Sequence, residues 1–245
     1  MTLIKRIFVA ALLLVLPLAA TAQDALTEDR VRELVRETIL ANPEILVEAI
    51  AILEERAAQD RVTGSADMIA AQREQLEQDP NAPVLANADG DVTIVEFFDY
   101  NCPYCRRAAP TIENLVEADP GIRLVYREWP ILGEGSVFAA RAALASRQQG
   151  LHEEFHWAMM DMSGRAEERS VLTIAAEIGL DIDQLRADME APEVAEHIET
   201  SMRLADLLGI TGTPTFILGE NLVPGAVEQE VLQRLVDEVR EEQAQ

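Results

Sequence analysis

The chain has 245 residues, 49% of them apolar, and a formal net charge of −24. That length suits one large domain or two modest ones with a sizeable core. The charge argues against a basic surface for nucleic acid or anionic lipid. Lys5 is the only lysine, so all other basic charge is arginine.

Residues 1–22 read as a signal peptide. Lys5 and Arg6 precede the apolar run 7–18, and Ala20-Thr21-Ala22 offers a small-x-small cleavage site. The apolar run is short for a span of roughly 20 residues, which leaves an uncleaved anchor as the alternative. No cysteine follows it, which excludes lipoprotein processing. Export places the mature chain in an oxidising compartment, the periplasm.

Residues 23–80 read as a helical stalk. Thr27 is a candidate N-cap, followed by Val31, Leu34, Val35, Thr38 and Ile39 on one stripe. Asn42-Pro43-Glu44 reads as a cap and restart. Ile45, Leu46, Ala49, Ile50, Ile52 and Leu53 then form a broad apolar face. Thr63-Gly64-Ser65 reads as a joint before a weaker helix over 66–78. Helices this slender need either the main domain or another copy to cover that face, and self-association is the preferred reading.

Residues 81–245 read as the main domain. Val84-Leu85 is a short edge strand and 87–91 a hairpin turn. Residues 92–98 form a buried strand, 102–118 a helix containing Pro110, and 122–129 a second strand. Residues 136–208 are almost all helical, with breaks near Gly150, Ser163-Gly164, Gly179 and Pro192. A strand over 213–218, a tight turn at 219–221, a partner at Leu222-Val223 and a closing helix over 227–242 complete an α/β core with a helical insertion.

The chemistry centres on Cys102-Pro103-Tyr104-Cys105, which holds both cysteines of the chain. A strand, turn and helix around C-x-x-C place Cys102 at a helix N-terminus, where unpaired amides and the dipole favour the thiolate. Arg106 and Arg107 are expected to add to that effect. Cys102 is then the attacking sulfur and Cys105 the resolving one. A disulfide across two residues constrains little, and a zinc site needs about four ligands. Glu96 shares a strand face with Ile94 and Phe98, so burial and a raised pKa are expected. His152-Glu153-Glu154-Phe155-His156 matches the H-E-x-x-H pattern of zinc metalloproteases, but without a strand upstream or an identifiable third ligand. His197 reads as superficial.

Cys-Pro-Tyr-Cys after Phe97-Phe98, with Pro110 downstream and Thr213-Pro214-Thr215 before a late strand, resembles the thioredoxin fold. The inserted helices resemble the DsbA family. The stalk, with Asn42-Pro43-Glu44-Ile45-Leu46, is similar to the suppressor-of-copper-sensitivity protein C (ScsC) branch. The resemblance implies a cis Pro214 with Thr213 beside the Cys102 sulfur. It implies substrate contacts from Pro103, Tyr104 and Thr213, and a proton-relay role for Glu96. Relatives often pair that acid with a lysine; here Arg123 or Arg127 must substitute, or the pairing is absent. Tyr104 stands where DsbA has histidine, which implies weaker thiolate stabilisation.

The activity expected is that of a periplasmic thiol–disulfide oxidoreductase, with isomerase or reductase preferred over a monomeric disulfide donor. Its partners would be misfolded secreted proteins, a membrane thiol reductase or oxidase, and copies of itself, as a trimer before a dimer. No cofactor beyond the redox-active dithiol is expected. The alternative is a copper-tolerance protein that holds Cu(I) on the two soft sulfurs.

Overall fold

The computed structural model describes residues 27–244. The signal peptide expected over 1–22 lies outside the described residues. The chain divides into two units after Glu55.

Helix α1 (Glu28–Ala41) starts at Thr27, whose Oγ1 accepts from the Arg30 amide. None of its residues is buried. Asn42 does not cap the helix that follows, as the sequence suggests. Its side-chain amide and its backbone N–H both donate to the Thr38 carbonyl, closing α1 instead. Helix α2 (Glu44–Glu77) then runs unbroken through Thr63-Gly64-Ser65, where a joint is expected. One glycine costs a helix only about 1 kcal/mol, which the long flanking turns absorb.

The second unit holds a five-stranded sheet, with strands β1 (Val84–Ala86), β2 (Val92–Phe98), β3 (Ile122–Glu128), β4 (Thr215–Leu218) and β5 (Asn221–Pro224) in the order β1-β3-β2-β4-β5. Strands β2 and β3 are parallel; the other pairs are antiparallel. The 87–91 turn is therefore no hairpin. β1 pairs with β3, and the turn carries the chain across the end of β3 to β2. It packs so tightly there that a Cβ on Gly90 would stand 2.6 Å from the Arg123 amide nitrogen.

β2 is apolar nearly throughout because both faces of the sheet are covered. Ile94 and Phe98 face one core with Leu124, Tyr126, Phe216 and Leu218. Helix α3 (Pro103–Ala118) covers that side with Cys105, Ala108, Ile112 and Leu115, and α9 (Gln229–Gln243) with Leu232, Val236 and Val239. Val95 and Phe97 face the other core with Val125, Trp129 and Ile217.

The insertion consists of α4 (Glu134–Ser146), α5 (His152–Asp161), α6 (Glu168–Glu177), α7 (Ile182–Asp188) and α8 (Pro192–Leu207). Its breaks fall where the glycines and Pro192 place them, and Gly150, Gly164 and Gly179 all have positive φ. Alanines dominate the buried face of α4, so neighbouring helices approach closely.

The stalk boundary expected at residue 80 moves upstream. Ile69 and Leu76 of α2 are buried in the second core with Leu204, Ala205 and Leu208 of α8 and its C-terminus. Arg127, fully buried, pairs with Asp79 at 2.6 Å, and Arg123 donates to the Glu77 carbonyl. The end of α2 is thus part of the sheet-bearing unit, because its apolar stripe has a sheet face to cover.

Candidate active site

The loop after β2 brings the dithiol to the top of the sheet. Asp99 is buried and organises the turn: its carboxylate accepts from the amides of Asn101, Ile131 and Leu132. Asn101 then bonds both the amide and the carbonyl of Ala166, and Ser136 Oγ. The start of α3 is held between two insertion loops.

Cys102 is the N-cap of α3, and Pro103 fills the first helical turn, where a missing N–H costs nothing. Both cysteines are free thiols. The Cys102 thiol donates to the Thr213 carbonyl at 3.2 Å, and the Thr213–Pro214 bond is cis. Pro103 and Tyr104 lie exposed beside it, and Arg107 stacks over the Tyr104 ring at 4.8 Å. Cys102, Cys105, Thr213, Pro214, Pro103 and Tyr104 thus meet at one place, more than a hundred residues of chain notwithstanding.

The two thiols differ sharply. A hydrogen bond from Cys105 lowers Cys102 to about 5 against the cost of burial, helped by the Thr213 side chain and the amides of Cys105 and Tyr104. Burial pushes Cys105 far up, and its hydrogen bond to Cys102 and the charge of Glu96 add to that. The arginines do not bond the thiolate, although the Arg106 charge still acts on it from a distance. Arg106 turns away to the carbonyls of Tyr100, Met162 and Gly164, and Arg107 sits on Tyr104. Helix amides and the partner thiol supply the main stabilisation of the thiolate.

Glu96 lies beneath the dithiol, 2% exposed. Burial first, and then the Cys102 thiolate, push its carboxyl up to about 8. No arginine takes the place of the lysine: Arg123 and Arg127 point to the opposite face of the sheet, towards Glu77 and Asp79.

The H-E-x-x-H histidines are core side chains. His156 packs on Tyr126 at 4.1 Å between centroids, and its Nδ1 meets the Tyr100 hydroxyl at 3.1 Å. His152 stacks on His156; burial holds His152 down at about 3 and His156 well below the ordinary histidine range. Among the described residues no cluster of three or more metal-ligating side chains occurs. His197 is not superficial but fully buried, and its Nε2 accepts from the Glu128 amide at 3.1 Å. It belongs to the stripe Val194, His197, Ser201, Leu204, a spacing visible in the sequence. Sequence reasoning also missed Glu128, a second buried carboxyl on the same sheet face as Glu96. Its signal was the alternation of Leu124, Tyr126 and Glu128 along β3.

Known proteins share this arrangement. Residues 93–237 match the DSBA-like thioredoxin domain, and residues 28–59 match the copper resistance protein ScsC N-terminal domain. A thioredoxin-like oxidoreductase from Silicibacter pomeroyi DSS-3 is 66% identical, with a TM-score of 0.68 over 69% of this chain and 98% of its own. Proteus mirabilis ScsC in a transitional conformation is 30% identical, with a TM-score of 0.65 over 89% of this chain and 97% of its own. The Na(+)/H(+) antiporter NhaA 1 of Salinispora arenicola is 31% identical over 150 residues, 60% of this chain, but the chain spans only 23% of that protein. A match over more than half of its residues, on a fold that brings the dithiol to a cis-proline loop, places this chain in the DsbA-like thioredoxin family, with the N-terminal domain of ScsC ahead of it.

Proposed function

We propose that the protein is a periplasmic thiol–disulfide oxidoreductase that reshuffles or reduces disulfides in misfolded secreted proteins. The observation that carries this reading is the meeting of Cys102, at the N-terminus of α3, and buried Cys105 with the cis Thr213–Pro214 loop; a lowered Cys102 and a raised Cys105 pKa agree with it. Cys102 attacks one sulfur of a substrate disulfide, and the other sulfur leaves as a thiolate. Cys105 then attacks Cys102 in the mixed disulfide, which releases the substrate and leaves Cys102–Cys105 oxidised. A membrane thiol reductase would restore the dithiol. The Thr213 backbone beside cis Pro214, with Pro103 and Tyr104, would hold the substrate segment, and Glu96 would take the Cys105 proton.

Isomerisation needs the reduced form, which a stabilised thiolate favours. It also gains from several sites gripping one chain. Val35, Leu40, Leu46, Val47, Ile50 and Leu53 are exposed on α1 and early α2, an apolar surface suited to a self-associating stalk, with a trimer preferred to a dimer. A related thioredoxin-like protein from Salmonella enterica serovar Typhimurium is described as periplasmic, in line with the signal-like N-terminus.

Refolding of a scrambled disulfide protein tests the reading. Wild type is expected to restore activity and Cys102→Ser to lose it; equal activity would sink the proposal. Light scattering before and after removal of residues 1–55 tests the stalk, and a monomer in both cases would refute it. A second reading, Cu(I) held by the dithiol, draws on soft sulfur chemistry and on the copper-resistance name of the N-terminal family. Copper stoichiometry on the reduced protein separates the two.

A further inference from the structure

The sheet face beneath the dithiol carries more acid than the exchange above uses. Glu96 lies opposite Tyr126, and Phe98 opposite Glu128, across the parallel β2–β3 pair. Alternation along both strands sets Glu96, Tyr126 and Glu128 on one face. Glu128 is 1% exposed, and neither of its carboxyl oxygens has a hydrogen-bond partner among the described residues. The Tyr100 hydroxyl lies near enough to Glu128 to hydrogen-bond it, but the geometry gives that hydroxyl to His156 Nδ1 at 3.1 Å, so the carboxyl at best shares one donor.

The groups around Glu128 come from five elements. They are Glu96 on β2, Asp99 and Tyr100 in the loop after it, Tyr126 on β3, His156 on α5 and, at the Glu128 amide, His197 on α8. Cys102 and Cys105 lie across Glu96 on α3. Both arginines of β3 serve the opposite face. Burial first, then the charge of Asp99 and, more weakly, that of Glu96 hold the Glu128 proton well above the usual carboxylate range, against the pull of the Tyr100 hydroxyl. Two acids on one buried sheet face titrate as a pair where they interact strongly.

We propose that Glu128 is a second proton-holding residue of the resolving step: it keeps the proton that the two acids share, so that the pair's first negative charge lies on Glu96, facing Cys105. Glu128 acts through Glu96 and is a positioning residue. The inference rests on the dithiol reading above. In the resolving step the Cys105 proton passes to the Glu96 carboxylate, and the sulfur keeps its electron pair. That sulfur attacks Cys102 Sγ; the Cys102–Cys105 bond forms, the bond to the substrate sulfur breaks, and the substrate leaves as a thiolate.

The test traps Cys102 as its mixed disulfide with glutathione and follows glutathione release from about pH 5 to 10. Wild type is expected to show two inflections on the alkaline side. Glu128→Gln keeps the lower and loses the upper. Glu96→Gln slows release at neutral pH by about a hundredfold and leaves only the rise set by the ionisation of Cys105 itself, and the double variant follows the same profile. A Glu128→Gln profile that overlays wild type, or a double variant whose profile differs from that of Glu96→Gln, would overturn the proposal.

Carbon-13 titration of the glutamate carboxyls in reduced, unmutated protein needs no variant to fold. Each of the two signals should show a second, smaller step where the other acid ionises; one simple step in each would overturn the pairing. Wild type that releases no glutathione would refute the dithiol reading, and the carboxyl titration would still decide the pairing.

Discussion

The two faces of one sheet treat buried charge in opposite ways. On the face covered by α2 and α8, Arg127 is buried but paired with Asp79 and bonded to the end of α2. On the face beneath α3, Glu96 and Glu128 are as deeply buried and have no cation from β3. A paired buried charge locks two elements together, whereas an unpaired acid in low dielectric holds its proton and stores no ion-pair energy. The first face puts its buried charge into cohesion, and the second keeps two acids where the proton transfer proposed above would need them.

Substitutions should therefore have opposite signs on the two faces. Arg127→Ala strands Asp79 and frees the end of α2; urea denaturation should show a loss of about 3–5 kcal/mol. Leu76→Ala, in the same core, should cost about 2–4 kcal/mol, and a change near zero would return the end of α2 to a detachable stalk. Glu96→Gln should stabilise the protein at pH 8 and above, by on the order of 2 kcal/mol. The sign follows from a carboxyl raised to about 8 in the folded chain: its unfavourable ionisation weakens the fold as pH rises from the ordinary glutamate range through 8. A loss there would break the contrast between the faces.

A separate effect is expected in acid. His152 and His197 titrate near 3 when folded but near 6.5 when unfolded, so the unfolded chain binds more protons as pH falls between those values. Stability should decline across that window, read as a falling urea midpoint.

Much of this contrast was legible in the residues. β2 and β3 announce themselves as apolar runs, and the alternation around Glu96 correctly implied its burial. The partner of β1 was not legible, since strand pairing is decided by tertiary packing and a turn at 87–91 serves a hairpin or a crossover equally well. Gly64 misled because a glycine weakens a helix without ending it. Ile69 and Leu76, seven residues apart on one face of α2, carried the stripe that ties this segment to the body, but a stripe does not name what covers it. The arginines after Cys105 misled for a related reason: charge near a thiol in sequence says nothing about where a long side chain finds its carbonyls.

The central claim is that Cys102 is a thiolate at neutral pH because Cys105, Thr213 and the first amides of α3 bond it. The most direct measurement is the rate of alkylation of Cys102 against pH in the reduced protein, read by mass spectrometry of the labelled peptide. The account predicts a midpoint at about 5. A midpoint near that of free cysteine, about 8.5, would contradict it.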